Sequence, residues 1–327
     1  MRAIVYTKYG APDVLELREV ERPAPGDDQV LIKIRAAAVT PTDCAFRRGD
    51  PLIRLFFGPL EPRKKILGTE FSGEIEAVGR DVARFGVGDQ IFAATGTGFG
   101  AYAEYVVLPE EGAIAIRPSN VTPGEAAAVC DGAMTALPFL RDKGGIRTGH
   151  RVLVNGASGS VGAYGVQLAR YFGAEVTGVC STANVELVRS LGAKEVIDYT
   201  KEDFTAAGRT YDIIFDAVGK SSFSRARGSL THGGVYLSTV PTPAMFLRML
   251  WNLKPGGKKA KLAATGMRPA REKTRDLAFL RELVEAGEIK PVLDRQYPME
   301  RAAEAHVYVE TGHKRGGVVM TMERDVG

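Results

Sequence analysis

The sequence is poor in cysteine and has no long apolar run. Its 327 residues include only three cysteines, Cys44, Cys130 and Cys180, and no C-x-x-C pair. An odd and widely spaced set of this kind is neither a disulfide framework nor a zinc-finger pattern, so free thiols are expected. No stretch approaches the roughly 18 uninterrupted apolar residues of a membrane span, so no membrane segment is expected.

The chain also lacks a strong charge bias and a recognisable targeting segment. Its 43 basic and 39 acidic residues leave a net charge of only +4, which suits an anionic cofactor but does not indicate nucleic-acid binding. Residues 1–6 have the pattern of a strand and not of a signal peptide, because no long apolar stretch follows them. A cytoplasmic protein with a small-molecule substrate, and with no nucleic-acid or membrane partner, is therefore expected.

The chain has two regions with different patterns of predicted secondary structure, and its length suits two domains of about 100–200 residues each. In the first third, the alternation of Val30, Ile32 and Ile34 with polar residues predicts a half-buried strand over 29–36. From about residue 121, helical patterns alternate with apolar runs. These runs predict strands at 151–154, 175–179, 195–197, 212–215, 234–237 and 261–264, and later a helix at 274–286 and a strand near 318–320. Strand–helix alternation favours a doubly wound parallel sheet inside an α/β chain.

A glycine-rich turn follows the strand predicted at 151–154 and opens a helix. Its residues are Gly156, Ala157, Ser158, Gly159, Ser160, Val161 and Gly162. Glycines at such a turn give the backbone freedom, allow close approach of a pyrophosphate and let the helix pack on the strand. Backbone N–H groups at the helix start then bind the anion. The spacing is G-x-x-G-x-x-G, so it predicts dinucleotide binding through its strand–turn–helix context. The alternative is a structural turn without a cofactor.

The segment after the next strand bears on the choice of cofactor. An NAD site usually has an acidic residue at this strand end, which accepts from the ribose 2′-hydroxyl, and Cys180 stands there instead. Ser181 and Thr182 offer hydroxyls to a 2′-phosphate. NADPH is therefore the predicted cofactor, although Ser181 or Thr182 could merely cap the following helix.

Several segments together resemble the medium-chain dehydrogenase/reductase superfamily over essentially the whole chain. They are 68–73 (GTEFSG), 78–79 (VG), 87–89 (VGD), 40–43 (TPTD) with Arg47 and Gly49, and 312–319 (GHKRGGVV). The resemblance implies a GroES-like β-rich catalytic domain, residues 1–118 completed by 268–327, and an NADP-binding Rossmann domain, residues 119–267. It also implies homodimers that join along the edge strand predicted at 261–264.

Departures from the family pattern indicate its zinc-free, quinone-oxidoreductase-like branch. Zinc-dependent relatives have Cys and His where Thr40 and Thr69 stand here, and Asp131 lies near the position of the third ligand. Two hydroxyls and one carboxylate make a poor zinc site. The four-cysteine structural zinc lobe is also missing, because residues 92–99 contain no cysteine. No metal is therefore expected.

Without a metal, conjugate reduction of an enone or reduction of a quinone is the favoured chemistry. Hydrogen-bond donors can then stabilise a delocalised oxyanion. Thr40 and Thr42 match the family's metal-ligand and proton-relay positions and are the predicted catalytic residues; alternatively, they hold local backbone. For Asp43 and Glu70, which match family carboxylates, structural ion pairs are favoured, with Arg47 as a possible partner. Asp131 belongs either to the cleft that the family implies or to an exposed helix position.

The remaining candidates surround the predicted cofactor and substrate. Thr135 matches a cofactor-contacting family position, Tyr199 ends the third predicted strand, and other candidates follow later strand ends, which face the ligand crevice of such sheets. Those later candidates are Val218, Gly219, Thr239 and Val240. An apolar substrate pocket is predicted from Phe46, Leu52, Phe56 and Phe57, with core packing as the alternative. The apolar run 244–253 is a lid, a dimer contact or core.

Three functions remain in competition. The first is an NADPH-dependent reductase of quinones or α,β-unsaturated carbonyl compounds. The second is an enoyl-thioester reductase, whose branch of the family uses a tyrosine donor where Phe56 and Phe57 stand here. The third is an NADPH-binding sensory or structural protein with little turnover.

Overall fold

The computed structural model describes residues 1–240, 257–263 and 265–322, apart from the side chain of Leu52. The chain divides into two compact units. The first is Met1–Asp131 with Gly266–Ala286 and Pro291–Gly327, and the second is Gly132–Thr265 with Gly287–Lys290. The domain limits predicted at residues 118 and 267 remain a prediction. The apolar run 244–253 lies outside the described residues.

The bounds of the regular elements are as follows. The described strands are β1 (Arg2–Val5), β2 (Glu16–Glu19), β3 (Gln29–Ala38), β4 (Glu70–Val78), β5 (Gln90–Ala94), β6 (Tyr105–Pro109), β7 (Ala113–Ile116), β8 (Arg151–Asn155), β9 (Glu175–Cys180), β10 (Glu195–Asp198), β11 (Tyr211–Asp216), β12 (Leu230–Ser238), β13 (Lys259–Lys261), β14 (Leu293–Pro298) and β15 (Gly317–Thr321). The described α-helices are α1 (Pro41–Arg48), α2 (Pro51–Phe57), α3 (Pro123–Pro138), α4 (Ser160–Tyr171), α5 (Val185–Ser190), α6 (Phe223–Ala226), α7 (Ala270–Glu285) and α8 (Ala302–Glu310).

The first unit is built on a mixed sheet. Its strand order is β14-β15-β3-β4-β5-β7, with β6 also paired to β3, and β1 and β2 form a separate hairpin-like pair. Strand β3 runs to Ala38, two residues beyond the predicted end, because it pairs with β4, β6 and β15 along its length. Its predicted core residues Val30, Ile32 and Ile34 are buried. On the other face, Lys33 and Arg35 are only partly buried, while Leu31 is buried.

The second unit is a six-stranded parallel sheet with the order β10-β9-β8-β11-β12-β13. Successive strands extend from β8 first in one direction and then, from β11, in the other, which is the doubly wound arrangement. The predicted fold class, an α/β chain with a GroES-like β-rich unit and a Rossmann sheet, is confirmed. The order reverses between β8 and β11, and such sheets bind ligands at the carboxyl ends of the strands beside this point.

Two predicted elements differ from the structure in their bounds. The sixth strand is Lys259–Lys261 and not 261–264, because its register is set by pairing with Val235–Leu237 of β12. Helix α7 begins at Ala270, directly after Pro269, and ends at Glu285. Its first turn, residues 270–273, contains no large apolar residue, so apolar periodicity could not reveal it. Among the described residues, no helix is both long and apolar enough to cross a membrane.

Candidate active site

The glycine-rich turn lies between the end of β8 at Asn155 and the start of α4 at Ser160. Gly156 has a φ of +79°, a left-handed conformation that favours glycine, and a Cβ there would lie 2.4 Å from Cγ1 of Val218. A Cβ on Gly162 would lie 2.0 Å from the carbonyl oxygen of Gly156. Both glycines are therefore required by the turn itself.

Gly159 differs from these two glycines. Its φ is −79°, and an added Cβ would make only one ordinary contact, 3.5 Å from the carbonyl oxygen of Gly156. Neither backbone strain nor crowding within the protein explains the absence of a side chain at this position. Open space in front of the first turn of a twelve-residue helix is what an approaching pyrophosphate needs, so the turn fits a dinucleotide.

Asp216, at the carboxyl end of β11, organises the loops around this turn. Its buried carboxylate accepts five hydrogen bonds. The donors are Asn155 Nδ2 at 3.0 Å, Val218 N at 3.3 Å, Gly219 N at 2.9 Å, Ser221 N at 3.0 Å and the Tyr236 hydroxyl at 2.7 Å. One side chain thus joins the ends of β8, β11 and β12. Sequence reasoning missed it, although the aspartate that closes the apolar run 212–215 was a visible signal.

The residues predicted after the later strand ends are brought to the same edge of the sheet. Val218 lies against Gly156, and Val240 lies against Gly219, whose φ is +66°. The backbone N–H of Thr239 donates to the carbonyl oxygen of Asp216 at 3.1 Å. Val218 and Val240 keep 41% and 40% of their surface exposed, so both remain available to a ligand. Thr135 is half-buried on the part of α3 that belongs to this unit.

The segment after β9 differs from expectation in its hydrogen bonds. Ser181 precedes a short 3₁₀ helix, Thr182–Asn184, but makes no capping bond to it; its hydroxyl accepts from Asn184 Nδ2 at 3.2 Å. The Thr182 hydroxyl, expected to serve a phosphate, donates to Asp198 at 2.5 Å. Tyr199 is 57% exposed at the end of β10. The helix-capping alternative for Ser181 is therefore wrong, and Thr182 is engaged by a neighbouring strand.

In the first unit, Thr40 and Asp43 form a capping box at the start of α1. The Thr40 hydroxyl donates to Asp43 Oδ2 at 2.7 Å and accepts from Asp43 N at 3.1 Å, while Thr40 N donates to the same carboxylate at 3.0 Å. Both residues are buried. The alternative that Thr40 holds local backbone is thus realised. Thr42, by contrast, is exposed on the first turn of the helix.

The ion pair suggested between Asp43 and Arg47 is wrong. Asp43 instead accepts from Gly68 N at 3.1 Å, and Arg47 pairs with Glu310 of α8 at 2.7 Å. The capping role turns the Asp43 carboxylate towards the helix start, while Arg47 lies about one turn further along and pairs with α8. Burial raises the pKa of Asp43 to about 6, against the opposing effect of its bonds to Thr40 and Gly68.

A second carboxylate, Glu70, lies at the start of β4 and accepts from the Thr69 hydroxyl. Burial, and after it the negative charge of Asp131, raise the pKa of Glu70 to about 8, while Thr69 and Lys273 act in the opposite direction. Lys273 of α7 is buried, and its Nζ donates to the carbonyl oxygen of Gly266 at 2.6 Å. Burial lowers the pKa of Lys273, and Glu70 opposes that shift. Perturbed groups of this kind concentrate at functional sites. Sequence reasoning missed Lys273, since a lysine on a polar helix carries no signal.

The predicted substrate-pocket aromatics separate into two groups. Phe46 and Phe57 pack edge to face with ring centroids 4.8 Å apart, and Phe46 lies 4.6 Å from Phe99. Both pack against the core of the unit, as the core-packing alternative held. Phe56 is 67% exposed and points away from this cluster, because neighbouring residues of a helix face different sides. The side chain of Leu52 lies outside the described part of the chain.

The residues at the family's metal positions do not fit a zinc ion. The Thr40 hydroxyl is bonded to Asp43 and the Thr69 hydroxyl to Glu70. The third position holds Asp131, a carboxylate, whereas a zinc site is usually built from thiolate and imidazole ligands.

Comparison with known proteins assigns the family. Residues 26–118 match the family model "Alcohol dehydrogenase GroES-like domain", and residues 191–320 match "Zinc-binding dehydrogenase". The chain is 32% identical to the chloroplast envelope quinone oxidoreductase homolog of Arabidopsis thaliana over 98% of both chains. It is 33% identical to the NADPH-dependent alkenal/one oxidoreductase, chloroplastic, of the same organism, over 98% of this chain and 79% of the relative.

A solved structure agrees with these matches. The quinone oxidoreductase from Coxiella burnetii superposes with a TM-score of 0.87 at 28% identity, over 99% of both chains. The chain therefore belongs to the medium-chain dehydrogenase/reductase superfamily, in its quinone-oxidoreductase-like branch. Such proteins are oxidoreductases that use a nicotinamide cofactor, and this chain is one of them.

Proposed function

We propose that this protein is a zinc-independent, NADPH-dependent reductase of quinones or α,β-unsaturated carbonyl compounds. The observation that carries the proposal is Gly159, which nothing in the protein requires to be glycine and which leaves open space at the start of α4. The other glycines hold the turn in shape, and Asp216 fixes the loops beside it. A rigid, open, donor-lined turn is suited to a pyrophosphate.

When bound, NADPH would supply a hydride to the substrate, whose developing oxyanion would then take up a proton. The residues of this chain would bind and orient the two partners. Thr42 offers an exposed hydroxyl on the first turn of α1, while the Thr40 hydroxyl is committed to Asp43. Thr42 is therefore the better candidate for a donor to a substrate oxygen.

Substrate class and cofactor are supported by the relatives' names, which include quinone oxidoreductase and NADPH-dependent alkenal/one oxidoreductase. The absence of zinc from the proposed mechanism is supported by the poor donor set at Thr40, Thr69 and Asp131. Enoyl-thioester reduction is less favoured, because Phe56 and Phe57 occupy the segment where that branch has a tyrosine.

The test is NADPH oxidation by EDTA-treated protein with quinones and enones as acceptors, run beside a Gly159→Ala variant. The wild type should turn over after EDTA treatment. Gly159→Ala should keep its melting temperature and lose at least about tenfold in NADPH affinity, because the new methyl group occupies the open space. Gly228→Ala is the matched control, since a Cβ there meets nothing within 4 Å and the position precedes the amino end of β12, whereas the turn follows the carboxyl end of the parallel strand β8.

Three outcomes would contradict the proposal in different ways. Activity that EDTA abolishes and zinc restores would refute zinc independence. Tight NADPH binding without reduction of any acceptor would favour the sensory or structural alternative. Unchanged NADPH affinity in Gly159→Ala would refute the assignment of the turn.

We also propose a homodimer joined along the edge strand β13, which light scattering would test. A cytoplasmic location stays a prediction, since relatives bear chloroplastic and mitochondrial names.

A further inference from the structure

We propose that Asp198 sets the discrimination between NADPH and NADH in this chain, by placing a carboxylate at the adenosine end of the site from the third strand of the sheet. The inference rests on the proposed dinucleotide function and deepens it. In nucleotide-binding sheets the discriminating acid usually ends the second strand, which here is β9 and ends in Cys180.

The register of the sheet brings the acid to that position from the neighbouring strand. Strands β10 and β9 are parallel, and Asp198 is the cross-strand partner of Cys180. Both residues end their strands, at the edge where such sheets bind ligands. A carboxylate missing from the second strand is thus supplied one strand further out.

Asp198 is held in place by its neighbours. Its Oδ1 accepts from Thr200 Oγ1 at 2.7 Å and from Thr200 N at 3.0 Å, and its Oδ2 accepts from Thr182 Oγ1 at 2.5 Å. Only 13% of its side chain is exposed. These hydrogen bonds, that from Thr182 first, lower the pKa of Asp198 to about 2, so the group is charged at any physiological pH.

The bond to Thr182 has a direct consequence for the cofactor. A hydroxyl has a single proton to donate, and that of Thr182 is directed at Asp198. Thr182 therefore does not donate to a 2′-phosphate while Asp198 is present. The fixed charge repels a phosphate and accepts from a ribose 2′-hydroxyl.

A further contact links this loop to the glycine-rich turn. Asn184 Nδ2 donates to Ser158 Oγ at 3.0 Å and to Ser181 Oγ at 3.2 Å. The segment that carries Thr182 is thus tied to the turn that would hold the pyrophosphate. Residues 181–185 contain no lysine or arginine, and the ammonium group of Lys201, 3.6 Å from Asp198, belongs to an exposed side chain. The wild type is therefore expected to bind NADH as well as NADPH, and to favour NADPH less strongly than it would without the Asp198 carboxylate.

The experiment measures binding and not turnover. The dissociation constants of 2′,5′-ADP and ADP are determined by calorimetry, and their ratio is compared between variants. Asp198→Asn should shift the ratio at least tenfold towards 2′,5′-ADP, because it removes the charge and frees the Thr182 hydroxyl. Because the two dissociation constants are measured on the same variant, binding of ADP shows that the variant is folded.

Asp203→Asn is the matched control. Asp203 repeats the local arrangement, since it accepts from Thr205 N at 2.9 Å and Thr205 Oγ1 at 2.8 Å, but it lies beyond the strand end and pairs with Arg225. Its ratio should match that of the wild type. Thr182→Ala should leave the wild-type ratio within twofold but remove part of the gain in the Asp198→Asn background, which is the non-additivity expected of coupled residues.

The possible failures are distinguishable. Failure of the wild type to bind either nucleotide would refute the dinucleotide function itself. Binding of both with an unchanged ratio in Asp198→Asn would refute only the role of Asp198. An equal shift in Asp203→Asn would also overturn that role, because it would show a general effect of charge on the unit.

Discussion

Two regions of the molecule are built in different ways. One is the glycine-rich turn of the second unit, and the other is the hydroxyl–carboxylate cluster of the first unit, which consists of Thr40, Asp43, Thr69 and Glu70. The turn depends on the backbone. Gly156 and Gly162 are glycines because a Cβ would clash with neighbouring atoms, and Gly159 leaves open space at the start of α4. In the cluster, side chains from separate segments hold one another, as Asp43 holds Thr40 and the backbone of Gly68. The turn depends on the absence of a side chain at three glycines. The cluster depends on the hydrogen-bond partners of its hydroxyls and carboxylates.

The difference teaches how far each site can tolerate substitution. A backbone site tolerates no Cβ at the positions where space or φ requires glycine. A side-chain site tolerates replacements that keep the hydrogen bonds, and it fails when a buried partner is left unsatisfied. Asp216 is an exception within the second unit, since it fixes the loops beside the turn through its side chain.

The largest effect is expected for Asp216→Ala, which would show whether the turn depends on a side chain after all. Loss of the carboxylate leaves several donors unsatisfied in a buried site, so the free energy of unfolding should fall by about 3 kcal/mol. NADPH binding should weaken at the same time. Denaturant unfolding and nucleotide titration measure the two effects.

Asp212→Ala is the control for this prediction. Asp212 lies towards the other end of the same strand and accepts from Arg151 N and Thr231 Oγ1. Its loss should lower stability less and leave nucleotide affinity unchanged. Equal effects on affinity at both positions would mean that the carboxyl end of the strand has no special role.

An intermediate effect is expected at α1, where two hydroxyls of the same type differ in their surroundings. Thr40→Val removes the capping bond and should lower stability by about 1 kcal/mol, with Thr40→Ser restoring it. Thr42→Val should change stability by less than about 0.5 kcal/mol, because the residue is exposed. If the Thr42 hydroxyl donates to the substrate, the kcat of the Thr42→Val variant should be about 100-fold lower than that of the wild type. Turnover lost in Thr40→Val and kept in Thr42→Val would reverse the assignment.

For Glu70→Gln, the expected effect is a change in the pH dependence of stability. The pKa of Glu70 is about 8 in the folded protein against an ordinary value of 4.5. Between these values the folded state binds more protons than the unfolded state, so stability falls as pH rises through that window and levels off above about pH 8. Because Gln cannot ionise, the stability of the variant lacks this decrease. The melting temperature of the variant relative to that of the wild type should therefore rise from pH 5 to pH 8. A constant difference across that range would contradict the raised pKa.

The sequence by itself determined the fold class, the succession of strands along the second unit and the position of the glycine-rich turn. Local patterns suffice for these, because glycine spacing, apolar alternation and the strand–turn–helix order act between residues that are near in sequence. Cys180 at the acid position was also visible. The expectation that Thr182 serves a phosphate followed from the same local view.

Only the tertiary structure decided the partners of the polar side chains. That Asp198 lies beside Cys180, that Asp216 gathers three strand ends and that Arg47 joins Glu310 and not Asp43 depends on sheet register and helix packing. These contacts join residues between 18 and 263 positions apart in sequence. A hydrogen bond depends on distances of a few tenths of an ångström, and no local pattern of residue types fixes such distances between remote segments.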